Sequence, residues 1–193
     1  MDRRETGAVA AAVLDFWFGS PDSADFGRPR AVWFRRDPAF DSEIRARFLI
    51  DHELAAAGAY DGLAATPRGA LALVLVLDQF PRNLFRGSAR AFACDPAARR
   101  VAAGAVDAGW DRAMQAVERL FLYLPFEHSE YIADQDRSVA LTAALGDAEW
   151  TRYAERHREI IQRFGRFPHR NEALGRETTA AERAFLREPN SSF

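Results

Sequence analysis

The chain has 193 residues, 48% of them hydrophobic and 12% aromatic, enough to bury a sizeable core and to exclude intrinsic disorder. Its 26 basic and 28 acidic residues leave a formal charge of −2, so no long-range field draws the whole molecule to nucleic acid or to an anionic membrane. Every basic residue is an arginine, a bias that a GC-rich coding preference is sufficient to explain. The absence of lysine excludes Schiff-base chemistry, pyridoxal phosphate attachment and a phosphate-loop lysine, because arginine stays protonated and serves as neither nucleophile nor base.

Helix signals dominate from the first residues. Arg3 and Arg4 precede a short apolar run from Gly7 to Leu14, which Asp15 breaks without a small-residue cleavage site. This reads as a first helix, capped by Thr6, with Val9, Val13, Phe16 and Trp17 on one face and an end near Gly19. A loop rich in glycine and proline follows from Ser20 to Arg30. Asp37-Pro38 predicts an N-cap with proline at the first helical position, and Phe40, Ile44 and Phe48 then repeat every fourth residue. His52, in the middle of that helix, is assigned to the surface.

Thr66-Pro67 repeats the start signal before Ala70 to Leu77, a run that is apolar on all sides and predicts the most buried helix. That run is far too short to cross a bilayer. Pro81 is expected to stop this helix. Asp95-Pro96 predicts the next cap, and Met114 to Leu124 mark a helix that Pro125 should terminate. Ser129 is read as the cap of a helix running to Gly146. Asp147 caps a longer one, where Trp150, Ala154, His157, Ile161 and Phe164 form a stripe closed by Gly165. Thr179 and Glu182 form a capping box for a last short helix, and the chain is expected to be loose from about residue 188. The sum predicts one all-α domain over 1–193, with about eight helices arranged as antiparallel hairpins.

Cys94 is the only cysteine, so no disulfide forms within the chain, and a cytoplasmic location is expected. No glycine-rich phosphate loop and no basic–aromatic nucleic-acid motif is present, so neither a cofactor nor a nucleic-acid partner is expected.

Three segments carry more polar chemistry than helix connections require. The first runs from Leu77 to Gly87 and holds Asp78-Gln79-Phe80-Pro81-Arg82-Asn83. The second runs from Leu124 through Glu127-His128-Ser129-Glu130 and continues to Asp134, Gln135, Asp136 and Arg137. The third runs from Phe164 to Asn171 and holds Phe167-Pro168-His169-Arg170-Asn171. The first and third share an aromatic, a proline and an Arg-Asn pair, and two of the chain's three asparagines lie in them. Arginine offers a rigid donor fork to carboxylate or phosphate, and asparagine both donates and accepts, so two such loops together would form an anion pocket. The competing structural reading has each arginine paired to an acid such as Asp78 or Glu127, or bound to helix-end carbonyls. A metal site through His128 with Glu130 or Asp134, and with His157 or His169, lacks metal-ligand spacing, so none is expected. Ser129 lacks a nucleophile elbow. His157 lies on an apolar stripe and is read as a buried, hydrogen-bonded histidine; His169 is the one expected to face a ligand. Trp17 and Trp33 are assigned to the core.

Leu14-Asp15-Phe16-Trp17-Phe18-Gly19, Asp78 to Asn83, Phe121 to Glu130 and Gly165 to Asn171 together resemble the largely bacterial family labelled domain of unknown function 924, over about Val13 to Leu186. The resemblance implies an all-α fold similar to the tetratricopeptide-repeat class and carries no catalytic roles with it. The residues themselves point to a small anionic molecule, or the anionic end of a peptide, bound by Arg82, Asn83, Glu127, His128, His169, Arg170 and Asn171. A hydrolase acting on a phosphate or carboxyl ester, with His128 or His169 as base beside Glu127, is the alternative. A protein-interaction scaffold is the third reading.

Overall fold

A computed structural model describes residues 3–24, 26–189 and 191. Its helices are α1 (Arg3–Phe18), α2 (Pro38–Ala56), α3 (Pro67–Val74), α4 (Phe80–Leu84), α5 (Asp95–Asp107), α6 (Ala116–Glu127), α7 (Ile132–Ala143), α8 (Ala148–Phe164) and α9 (Ala180–Phe185). A π turn at Leu75–Gln79 joins α3 to α4, so these two form one continuous rod and the described residues contain eight helical rods and no strand.

Contacts divide the chain into two compact units. Unit 1 is Met1–Arg86 with Arg90–Pro125, and unit 2 is Gly87–Ala89 with Phe126–Phe193. In unit 1 the rod lies at the centre: α3 packs on α1 and α5, and α4 on α2. Every residue from Ala70 to Leu77 is at most 2% exposed, as expected for a run apolar on all sides. Around it the rings of Phe16, Trp17, Trp33, Phe40, Phe48, Phe80 and Phe121 form one aromatic cluster. In unit 2, α7 and α8 pack as a hairpin, and Ile160, Ile161, Phe167 and Phe185 form a smaller core.

Local signals set the helix starts where side chain and backbone meet within a turn. Asp37 accepts from the amides of Ala39 and Phe40, Asp147 from those of Glu149 and Trp150, and Thr66 from that of Gly69. Thr179 and Glu182 close the expected capping box. Gly69 has a second role: a Cβ there would stand 2.2 Å from the Leu63 carbonyl oxygen, a clash with backbone that cannot give way.

Several expectations are corrected. Thr6 lies inside α1. Pro125 lies inside α6, which continues to Glu127. Ser129 does not cap α7, whose N-cap is Tyr131. It instead accepts from the Tyr131 amide and donates to Asp134 at 2.6 Å. Asp95 is the first residue of α5 and gives its carboxylate to Arg82, 2.9 and 3.0 Å away. His52 is buried at 3% exposure, one step further along the Phe40–Ile44–Phe48 series. The tail lies partly outside the described residues (190, 192 and 193), while Ser191 donates to the Leu186 carbonyl.

Pro81 does not stop its helix, and the reason is visible. In the π turn the Phe80 amide bonds five residues back, to the Leu75 carbonyl. The next donor in that pattern would be residue 81, reaching Val76, and proline has no N–H. His52 Nδ1 takes its place, 3.0 Å from the Val76 oxygen, donating from the neighbouring helix α2.

No helix among the described residues is long and apolar enough to cross a membrane. Cys94 is a free thiol whose pKa is pushed up by burial, and further by Asp95 and Glu53.

Candidate functional site

The Phe-Pro segments that look alike in sequence take different structures. Phe80-Pro81-Arg82-Asn83 belongs to helix α4, whereas Pro168–Arg170 is a 3-10 turn following α8. Arg82 and Asn83 are taken up within unit 1. Arg82 forks onto Asp95, stands 3.4 Å from the fully buried Asp78, and donates to the Asp78 carbonyl. Asn83 donates to Asp41, which Arg86 also grips with two nitrogens. Burial raises the Asp41 pKa, but the bonds from Arg86 and Asn83 outweigh it and hold the carboxyl below its usual value.

Unit 2 gathers the remaining candidates around His157 and the buried Phe167 ring it packs against. Glu127 ends α6, His128 follows it, His157 lies on the inner stripe of α8, and His169 and Arg170 come from the 3-10 turn. The His157 ring is 5.6 Å from Phe167 and 6.3 Å from His128. His169 is 5.6 Å from Phe167 on its other contact, and the Arg170 guanidinium lies over that ring at 4.5 Å. Glu127, His157 and Arg170 are all at most 6% exposed. His157 was legible as a buried, hydrogen-bonded histidine; its place at the centre of this group was not.

His157 Nδ1 is 2.9 Å from the Tyr153 carbonyl and 3.2 Å from Glu127 Oε1. Both neighbours accept, so the proton sits on Nδ1 and the lone pair on Nε2. Burial pushes the His157 pKa well below its ordinary value; the Tyr153 bond opposes this, and His128, Arg170 and His169 add to the depression. The sign for stability follows. The unfolded chain takes up a proton at this histidine as the pH falls below about 6.5, while the folded chain does not, so the stability present above that pH is lost on acidification. Urea midpoints between pH 7.5 and 5.5 should fall more steeply for wild type than for His157→Gln, by up to ~1.4 kcal/mol per pH unit. Equal slopes would remove this assignment.

A second network holds the cluster in place. Gln135 is fully buried, and its Nε2 donates to the carbonyls of Glu127 and Ser129, at 2.6 Å each. Glu130 accepts two bonds from Arg176 and one from the Phe167 amide. Burial pushes the Glu130 carboxyl up, and these bonds more than offset it, leaving the pKa below its usual value. Asn171 is 1% exposed; its oxygen accepts from Arg176 at 3.0 Å, which makes it part of this scaffold. Arg166 forks onto Glu182, and that bond, with further ones from Thr179 and Asn171, holds the Glu182 carboxyl well below its usual range. No group of three or more His, Cys, Asp or Glu side chains among the described residues is placed to hold a metal ion.

Residues 13–190 match the family described as "Bacterial protein of unknown function (DUF924)". The chain is also similar to the solved structure of a protein of unknown function, ATU0120, from Agrobacterium tumefaciens. The two share 45% identity with a TM-score of 0.85, over 94% of this chain and 98% of that one. No curated protein matches the sequence.

Proposed function

The chain belongs to the DUF924 family, and from the geometry of its own residues we propose that unit 2 binds a small oxyanion, a carboxylate or a phosphate-like group, at the His128–His157–His169–Arg170 cluster. The observation that carries this reading is the convergence of His157, His169 and the Arg170 guanidinium on the buried Phe167 ring, with His128 packed beyond His157 and Glu127 beside it. Glu130 is near enough to feel Arg170, but it is already forked by Arg176. Protonation of His128 or His169 would add positive charge to a group that already holds the Arg170 guanidinium, and an arriving anion would interact favourably with both. Arg82 and Asn83, included in the expected site, serve the Asp78, Asp95 and Asp41 pairs in unit 1 and are left out of this proposal.

Sulfate is the suitable probe, since its charge is constant across the relevant pH range. Titration followed by histidine ring proton shifts should show saturable movement at His128, His157 and His169. Binding should strengthen by about tenfold from pH 7.5 to 5.5 and weaken by about tenfold in His169→Gln, as expected for a hydrogen bond to a charged group. Absence of saturable shifts at these rings would sink the proposal.

One observation favours a second reading, hydrolysis of a phosphate or carboxyl ester. An imidazole whose Nδ1–H is held by the Tyr153 carbonyl, with Glu127 3.2 Å away, presents Nε2 as the basic nitrogen, the arrangement of an oriented general base. On this reading His157 takes the role first assigned to His128 or His169. A broad ester screen with no activity, or activity unchanged in His157→Gln, would remove it.

A further inference from the structure

Helix α7 buries polar side chains where a packing helix usually buries apolar ones. Its buried residues are Gln135, Ser138 and Thr142, each at most 1% exposed, while Ile132 on the same helix is 44% exposed. The three follow one another at intervals of three and four residues and so share one face. Gln135 Oε1, Ser138 Oγ and Thr142 Oγ1 are all buried, and none has a hydrogen-bond partner among the described residues. Buried polar atoms are paired in the large majority of cases, so three unpaired in one row call for a physical cause.

Local bonding does not supply one. A serine or threonine inside a helix can give its hydroxyl to the carbonyl four residues back. Ser42 does so onto Pro38 and Thr151 onto Asp147, at 2.8 Å each, but Ser138 and Thr142 do not. The Gln135 amide is oriented by its other end. Nε2 donates to the Glu127 and Ser129 carbonyls at 2.6 Å each, which leaves Oε1 at the head of the row. All three groups are neutral, so the row offers hydrogen bonds and no charge.

We propose that this face of α7 binds two water molecules, one joining Gln135 Oε1 to Ser138 Oγ and the other joining Ser138 Oγ to Thr142 Oγ1. The spacing suits single waters. Side chains three or four residues apart on a helix stand about 5–6 Å apart, and one water making two bonds of about 2.8 Å spans that gap. The Ser138 hydroxyl accepts from one water and donates to the other, so every atom of the row gains a partner and each water has the two it needs. The first water also backs the amide that holds the main chain on both sides of His128. The proposal concerns the protein without an anion and is independent of oxyanion binding.

The direct test is a crystal structure of the full chain at a resolution that shows ordered water. Density is expected for one water bonded to Gln135 Oε1 and Ser138 Oγ, and for a second bonded to Ser138 Oγ and Thr142 Oγ1. No water at Ser138 Oγ, or both hydroxyls turned onto carbonyls of their own helix, would overturn the proposal. Thr142→Val gives an independent answer in solution, because it removes the hydroxyl at nearly constant volume. Loss of a water-bonded hydroxyl raises the unfolding equilibrium constant in urea about fivefold, the effect of one hydrogen bond. Valine in place of an unbonded buried hydroxyl lowers that constant instead. A lowered or unchanged constant therefore also overturns the proposal. Both measurements are made without sulfate, so their outcome is separate from that of the anion titration.

Discussion

Replacing Arg82 by methionine lowers the stability of the protein by about 3–5 kcal/mol, the range for breaking a buried ion pair and stranding its partner. Asp78 is fully buried, and Arg82 is its cationic neighbour as well as the bidentate partner of Asp95. Gln79 donates to the other Asp78 oxygen at 2.7 Å, but a neutral amide does not neutralise a charge. For a chain of this length the loss corresponds to a fall in Tm of about 10 °C. Urea unfolding followed by tryptophan fluorescence measures it. The same variant combined with Asp78→Leu should recover most of the loss, because an apolar pair removes the buried charge instead of abandoning it. A single Arg82→Met variant within about 1 kcal/mol of wild type would show that Asp78 does not depend on this pair.

Trp17→Ala is the second large effect, about 3–5 kcal/mol, the usual range for deleting a fully buried aromatic. The Trp17 ring is 0% exposed, and the rings of Trp33, Phe40, Phe80 and Phe121 lie between 5.3 and 6.0 Å from it, so the cavity left behind has no single neighbour able to fill it. Conservative changes separate packing from hydrogen bonding. Trp17 Nε1 is buried and has no hydrogen-bond partner among the described residues, so Trp17→Phe gives up volume but no bond and should cost less than about 1.5 kcal/mol. Trp33 Nε1 donates to the Trp17 carbonyl at 3.2 Å, so Trp33→Phe loses about 1 kcal/mol through that bond in addition to volume. Trp17→Phe as damaging as Trp17→Ala would contradict this division.

The parts of the fold that could be read in the sequence are those in which a side chain meets backbone within one turn. Asp37, Thr66, Asp147 and the Thr179–Glu182 box are such cases, and each stands where its residue type and spacing place it. Asp95 and Ser129 are equally good capping residues by type, but each has a partner that local sequence does not reveal: Arg82 for one and Asp134 for the other. His52 carried a readable signal, since it continues the four-residue spacing of Phe40, Ile44 and Phe48, and its polar ring obscured it. The candidate site was legible as a set of segments. Its centre was not, because His157 and His169 are brought to one ring, and Glu127 to His157, only by the packing of α8 and the turn after it. The likeness between the two Phe-Pro segments was real in composition and misleading in structure, since proline is compatible both with the interior of a π-turned helix and with the start of a 3-10 turn.

The bond from His52 to the Val76 carbonyl means that the central rod is not an autonomous element. Its passage through Pro81 relies on a donor borrowed from α2, so a segment covering only 67–84 has no means of satisfying that carbonyl except water. Growth of the helix beyond Val76 and docking of α2 are therefore one cooperative event in folding, and the most apolar stretch of the chain completes itself only once a neighbour has arrived.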